Sequence, residues 1–189
     1  MTMKRKSSVF DSQPVTLFVL VLIAALTCGC RTISRGRISR ILPKMGHRNW
    51  IVVADSAYPA QNKDGIETVV TKRGQLEMVR SVLEAVDKAP HVRPVVYLDS
   101  ELDNVSEVDA PGIRAYRNQL GLLLKNRTVK SMPHDRLIAT MDEAAEMFSV
   151  MVFKTNMTMP YTSVFIELDC GYWNPDAEKR LREKMRRGN

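Results

Sequence analysis

His47-Arg48-Asn49-Trp50-Ile51-Val52-Val53-Ala54-Asp55-Ser56-Ala57-Tyr58-Pro59 is the stretch on which the fold of this chain turns. Ile51 to Ala54 form a short, unbroken apolar run, rich in β-branched side chains. That pattern predicts a buried strand. Asp55 ends it, and residues 56–65, with Pro59, Asn62 and Gly65, predict a loop. In open α/β sheets, ligands gather beyond the carboxyl ends of strands. Asp55 is therefore the first polar residue to consider as functional.

Working outward, residues 66–71 predict a second strand. Leu76, Val79, Leu83 and Val86 recur at helical spacing and predict a helix stopped by Pro90 and Pro94. Val95 to Leu98 predict a third strand, followed by an acidic loop over residues 99–109. A helix is expected over 112–124, a strand over 128–132, a helix over 134–148 and strands over 150–154 and 163–168. Strands alternating with helices imply an α/β fold, a layered α/β/α domain around a central, mostly parallel sheet. At 189 residues and 44% hydrophobic content the chain can bury one core of ordinary size, and global disorder is excluded. The sequence carries no internal repeat.

The ends read differently from the middle. Lys4, Arg5 and Lys6 precede the apolar run Val15 to Leu26, which is too short for a permanent span and suits a secretion signal. It leads to Thr27-Cys28-Gly29-Cys30, which resembles a bacterial lipobox with Cys30 as the lipidated residue. Residues 1–30 are thus expected to be a lipoprotein signal, placing the protein at the cell envelope with the membrane as partner through a lipid anchor. Processing there would leave Cys170 alone, so no internal disulfide is expected. Residues 31–40 predict a basic linker and residues 173–189 a basic tail. The net charge of +7 belongs to these ends. The tail is expected to be a solvated helical end, with no nucleic-acid partner.

Three polar clusters could carry chemistry: His47 with Asp55 around the first strand, His134-Asp135 at a helix start, and Pro160-Tyr161-Thr162-Ser163 before the last strand. Their order matters more than any one of them. The stretch from Gly46-His47 to Pro59 resembles the opening motif of the ribose pyranase/fucose mutarotase (RbsD/FucU) family: a Gly-His, an apolar strand, then an aspartate and a proline. Arg114-Ala115-Tyr116-Arg117-Asn118-Gln119-Leu120 looks like a segment of the fucose-type branch. His134 falls where the ribose-type branch opens a helix with histidine. Pro160-Tyr161, an apolar strand and Gly171 are similar to the closing motif. The resemblance covers residues 41–172.

The resemblance implies a cofactor-free isomerase acting on a free, fucose- or ribose-like monosaccharide. Moving between anomers or ring forms needs one proton taken from the anomeric hydroxyl and one delivered to the ring oxygen. Histidine does either near neutral pH. By resemblance His47 is the lead acid/base residue, Asp55 binds or orients, and His134 is a second proton donor or polar contact. Tyr161 and Ser163 complete the substrate site, and the chain self-associates into a ring in which the closing motif reaches a neighbour's pocket. Ser163 stands where the family has Asn, and Ile138 where the ribose-type branch has Lys. These departures motivate the alternative of a non-catalytic monosaccharide-binding lipoprotein. No metal is expected: His47, His134 and Asp55 have suitable chemistry but lack a local ligand spacing.

Overall fold

The computed structural model describes residues 36–187. The expected signal, the expected lipidation residue Cys30 and half of the expected basic linker lie outside them. A six-stranded sheet is built from β1 (Trp50–Ala54), β2 (Ile66–Val70), β3 (Val92–Asp99), β4 (Val129–Met132), β5 (Val150–Lys154) and β6 (Val164–Cys170), in the order β2-β5-β1-β6-β3-β4. Five strands run one way, and β6 runs antiparallel to both of its neighbours, β1 and β3.

All five residues of β1 are buried, as its unbroken apolar run requires. Ile51 and Val53 point into one face, with Phe153, Val164 and Ile166. Trp50, Val52 and Ala54 point into the other, with Val150, Val152 and Phe165. The first face is covered by α1 (Gln75–Asp87) and α2 (Ile113–Leu123), through Met78, Val79, Val82, Leu83 and Val86 of α1 and Ile113, Tyr116 and Leu120 of α2. The second face is covered by α3 (His134–Ala144), through Leu137 and Met141. A central sheet with helices on both sides is the expected α/β/α layering. A last helix, α4 (Pro175–Arg187), buries none of its residues and ends on Lys184, Arg186 and Arg187. Among the described residues no helix is long and apolar enough to cross a membrane.

Two boundaries differ from the sequence reading. β3 begins at Val92, so Pro94 lies inside a strand rather than ending a helix. It falls in the half of β3 that pairs with β6 alone, before β4 joins at Val96. A missing N–H is tolerated where a strand has no second neighbour. The helix α3 stops at Ala144, and residues 145–148 turn back through the Phe148 N–H, which donates to the Ala144 carbonyl. That turn packs on Gly65, where a Cβ would sit 2.2 Å from the Ala145 carbonyl oxygen.

Candidate functional site

With five strands parallel and β6 reversed, the carboxyl ends of β1, β3 and β4 meet the amino end of β6. This pole collects Asp55, Asp99, His134, Tyr161 and Ser163. Asp55 follows β1, and its Oδ2 accepts a hydrogen bond from Ser163 Oγ at 2.9 Å. Its other oxygen accepts from the Ala57 N–H at 2.8 Å, an Asx turn that opens the loop. Ser163 is fully buried, and its hydroxyl also accepts from the Asp55 N–H at 3.2 Å. It therefore supports Asp55 from behind.

Asp99 ends β3 as Asp55 ends β1. It is only 2% exposed, yet it is ionisable. Its Oδ1 lies 3.1 Å from His134 Nδ1, and its Oδ2 is buried with no hydrogen-bond partner. Burial pushes its carboxyl up to about 6, with His134 pulling the other way and Glu101 and Asp55 adding to the rise. His134 opens α3, and its backbone N–H donates to both oxygens of Glu101 at 3.1 Å. A carboxylate at a helix start is well placed against the helix dipole. With Nδ1–H committed to Asp99, Nε2 is the nitrogen left for a substrate. The ring is 30% exposed and meets Tyr161 edge-on, centroids 5.6 Å apart.

Tyr161 takes a left-handed backbone conformation, φ 56°, which is uncommon for a non-glycine residue and clusters at functional sites. A buried network over-determines it. Gln75 Nε2 donates to the Thr162 carbonyl at 2.7 Å and to the Val53 carbonyl at 2.9 Å. Tyr116 Oη donates to the same Thr162 carbonyl at 2.7 Å, and Thr155 Oγ1 donates to Gln75 Oε1 at 2.6 Å. The Tyr116 of the fucose-type segment thus sits under the site, holding the loop that carries Tyr161. Its burial pushes its phenol up, so it stays a donor.

His47 is elsewhere. It precedes β1, whereas Asp55 follows it, and five extended residues span about 16 Å. At this opposite pole His47 Nδ1 lies 3.3 Å from Asp169 Oδ1, and Arg93 Nε donates to Asp169 Oδ2 at 2.9 Å. Burial acts to raise the Asp169 carboxyl, but Arg93, the Cys170 N–H and His47 hold it below its ordinary value. A cavity of about 670 Å³ opens here, lined by His47, Arg93, Asp169, Cys170, Trp173 and neighbouring residues. One chain therefore cannot bring His47, His134 and Asp55 to one metal ion, and among the described residues no three His, Cys, Asp or Glu side chains group in a way that could hold one. Ile138 lies half-buried on α3 against the second face of the core.

Asp99 and Glu101 were hidden in the sequence as the start of an acidic loop. The signal for Asp99 was the one that picked out Asp55: an acid closing a buried strand.

A family model described as the RbsD / FucU transport protein family matches residues 31–171. No curated protein is significantly similar to the chain. Among solved structures, Bacillus subtilis RbsD complexed with D-ribose superposes with a TM-score of 0.52 at 18% identity, covering 70% of this chain and 91% of that one. FucU from Bifidobacterium longum gives 0.48 at 18% identity, with 69% and 90% covered. The Streptococcus pneumoniae fucose mutarotase in complex with L-fucose gives 0.46 at 18% identity, with 69% and 89% covered. At such identities the likeness is one of fold. The family match runs from the linker before β1 to the glycine that follows β6, and this chain belongs to the RbsD/FucU family.

Proposed function

We propose that the protein is a cofactor-free isomerase that interconverts the anomers or ring forms of a free, ribose- or fucose-like monosaccharide. The observation that carries this reading is the Asp99–His134 pair, in which a buried carboxylate fixes one imidazole nitrogen and leaves the other facing outward beside Tyr161. Ribose in the Bacillus subtilis relative supports a sugar ligand. One base takes the proton from the anomeric hydroxyl while an acid protonates the ring oxygen, and the bond from the anomeric carbon to the ring oxygen breaks. The open aldehyde rotates and recloses as the two protons return. His134 Nε2 is one of the two groups. His47, at the far pole of its own chain, acts as the other from a neighbouring copy in a ring. Asp55, held by Ser163, receives a sugar hydroxyl, and Tyr161 walls the site.

Anomer exchange measured by NMR with D-ribose and L-fucose tests the reading. The protein should exceed the rate in water, and His134→Asn should remove about 10²- to 10⁴-fold of the gain. A protein that binds sugar but leaves exchange at the water value is a monosaccharide-binding protein instead. We further propose that the domain is tethered at the envelope through Cys30. Cys30→Ser should abolish lipid labelling and free the domain from membranes, and unchanged labelling would remove that assignment.

A further inference from the structure

The family match ends at Gly171, and Tyr172, Trp173 and α4 follow it. This segment leaves Trp173 at the rim of the His47 cavity, 43% exposed. Its position is fixed at both ends. Gly171 is pressed against the 90–92 turn, where a Cβ would lie 2.6 Å from the Pro90 carbonyl oxygen, and its N–H donates to the His91 carbonyl at 3.0 Å. On the other side the Asn174 side chain accepts from the Ala177 N–H at 2.8 Å and starts α4. The indole Nε1–H donates to Glu178 Oε2 at 2.8 Å, which holds the ring's orientation. An exposed tryptophan secured in this way, with no core to fill, calls for a ligand.

We infer that Trp173 is a sugar-binding residue: its indole forms a stacking wall of the monosaccharide site around His47. The inference rests on the reading of His47 as a proton-transfer group. A sugar that reaches His47 enters the cavity that Trp173 also lines. The chemistry of the cavity suits one. Sugar rings carry a patch of C–H bonds that packs on an aromatic face, while their rims need hydrogen-bonding groups. Here Asp169 offers a carboxylate, Arg93 a guanidinium and His47 an imidazole, within a volume typical of small-ligand sites. Trp173 lies just beyond the family match, outside the residues that carry the family's resemblance. It bears on which sugar is held and how tightly, rather than on proton transfer.

The chain has two tryptophans, and the other, Trp50, is 6% exposed and packed on Tyr97. Emission that changes with sugar and is lost with the Trp173 side chain therefore belongs to Trp173. Titrating the protein with D-ribose or L-fucose should shift or quench emission saturably. Trp173→Ala should abolish the optical response and weaken sugar binding, measured independently by saturation-transfer NMR, by about three- to tenfold. The loss should fall on KM, and Trp173→Phe, which keeps an aromatic face, should recover much of it. Trp50 emission in Trp173→Ala verifies that the core is intact. If the wild-type protein binds sugar and His47→Asn loses exchange, while Trp173→Ala binds as tightly as wild type, the stacking role is overturned and the isomerase reading stands. If the wild-type protein binds neither sugar, both fall together.

Discussion

The two ends of the sheet hold the same kinds of group in opposite arrangements. At the carboxyl pole, His134 is paired with a buried aspartate that has lost its water, and Asp55 is braced by Ser163. At the amino pole, His47 is paired with Asp169, which is partly buried and already neutralised by Arg93. Burial moves the Asp99 carboxyl up, whereas cationic and backbone donors move the Asp169 carboxyl down. The first pole carries backbone strain, in a left-handed Tyr161. The second provides the cavity. In the proposed ring, head-to-tail contacts would bring one copy's amino pole to the next copy's carboxyl pole.

Mixing variants is the strongest way to break this picture. His47→Asn and His134→Asn should each lower anomer exchange by about 10²- to 10⁴-fold as homogeneous proteins. After dissociation and joint reassembly, about a quarter of shared sites should regain both histidines under random pairing across a heterologous interface. Exchange should then recover to about that fraction of wild type. No recovery in mixed assemblies would overturn the shared site, and an undiminished rate in either homogeneous variant, or full activity in a wild-type monomer shown by light scattering, would mean that each chain carries a complete site and that one of the histidines is idle.

The sequence disclosed the layers well and the poles poorly, for physical reasons. Hydrophobic period marks strands and helices, so β1, β2, β5, α1 and α2 fall close to their expected bounds. Strand direction leaves no such mark: β6 is as apolar as its neighbours, and nothing in Val164 to Leu168 says that it runs against them. That reversal delivers Tyr161 and Ser163 to the carboxyl pole. His47 and Asp55 were grouped because they flank one strand, yet that strand of five carries them to opposite ends. Closeness along the chain is closeness in space for a turn and distance for a strand. Asp99 was missed because the acids after it, Glu101, Asp103, Glu107 and Asp109, resemble a solvated loop. Two of them serve helix starts: Glu101 holds the His134 N–H, and Glu107 caps α2 through the Gly112 and Arg114 N–H groups.

A smaller effect sharpens the contrast between a buried and a neutralised carboxylate. The Asp99 carboxyl, pushed up to about 6 by burial, has an ordinary value near 3.9 in the unfolded chain. Between those values the folded chain keeps a proton that the unfolded chain has released. Stability from this group is therefore fully present below about pH 4 and is lost as pH rises through about 6. A difference of about two units corresponds to roughly 3 kcal/mol at most. Asp99→Asn keeps the shape and an acceptor for His134 Nδ1–H but never ionises. Its melting temperature at pH 7.5 should exceed wild type by several degrees, at about 2–4 °C per kcal/mol for a domain of this size, and the fall between pH 4 and 6 should shrink. Anomer exchange should move the other way, dropping by about tenfold, because a neutral amide holds an imidazole that gains a proton less strongly than a carboxylate does. In the wild-type protein, activity should therefore rise through about pH 6 while stability falls. Asp169→Asn offers the reverse: removing a carboxylate that Arg93 and His47 already satisfy should lower stability above pH 4. If Asp99→Asn melts below wild type at pH 7.5, the Asp99 charge is a net stabiliser through His134, and the two poles are electrostatically alike.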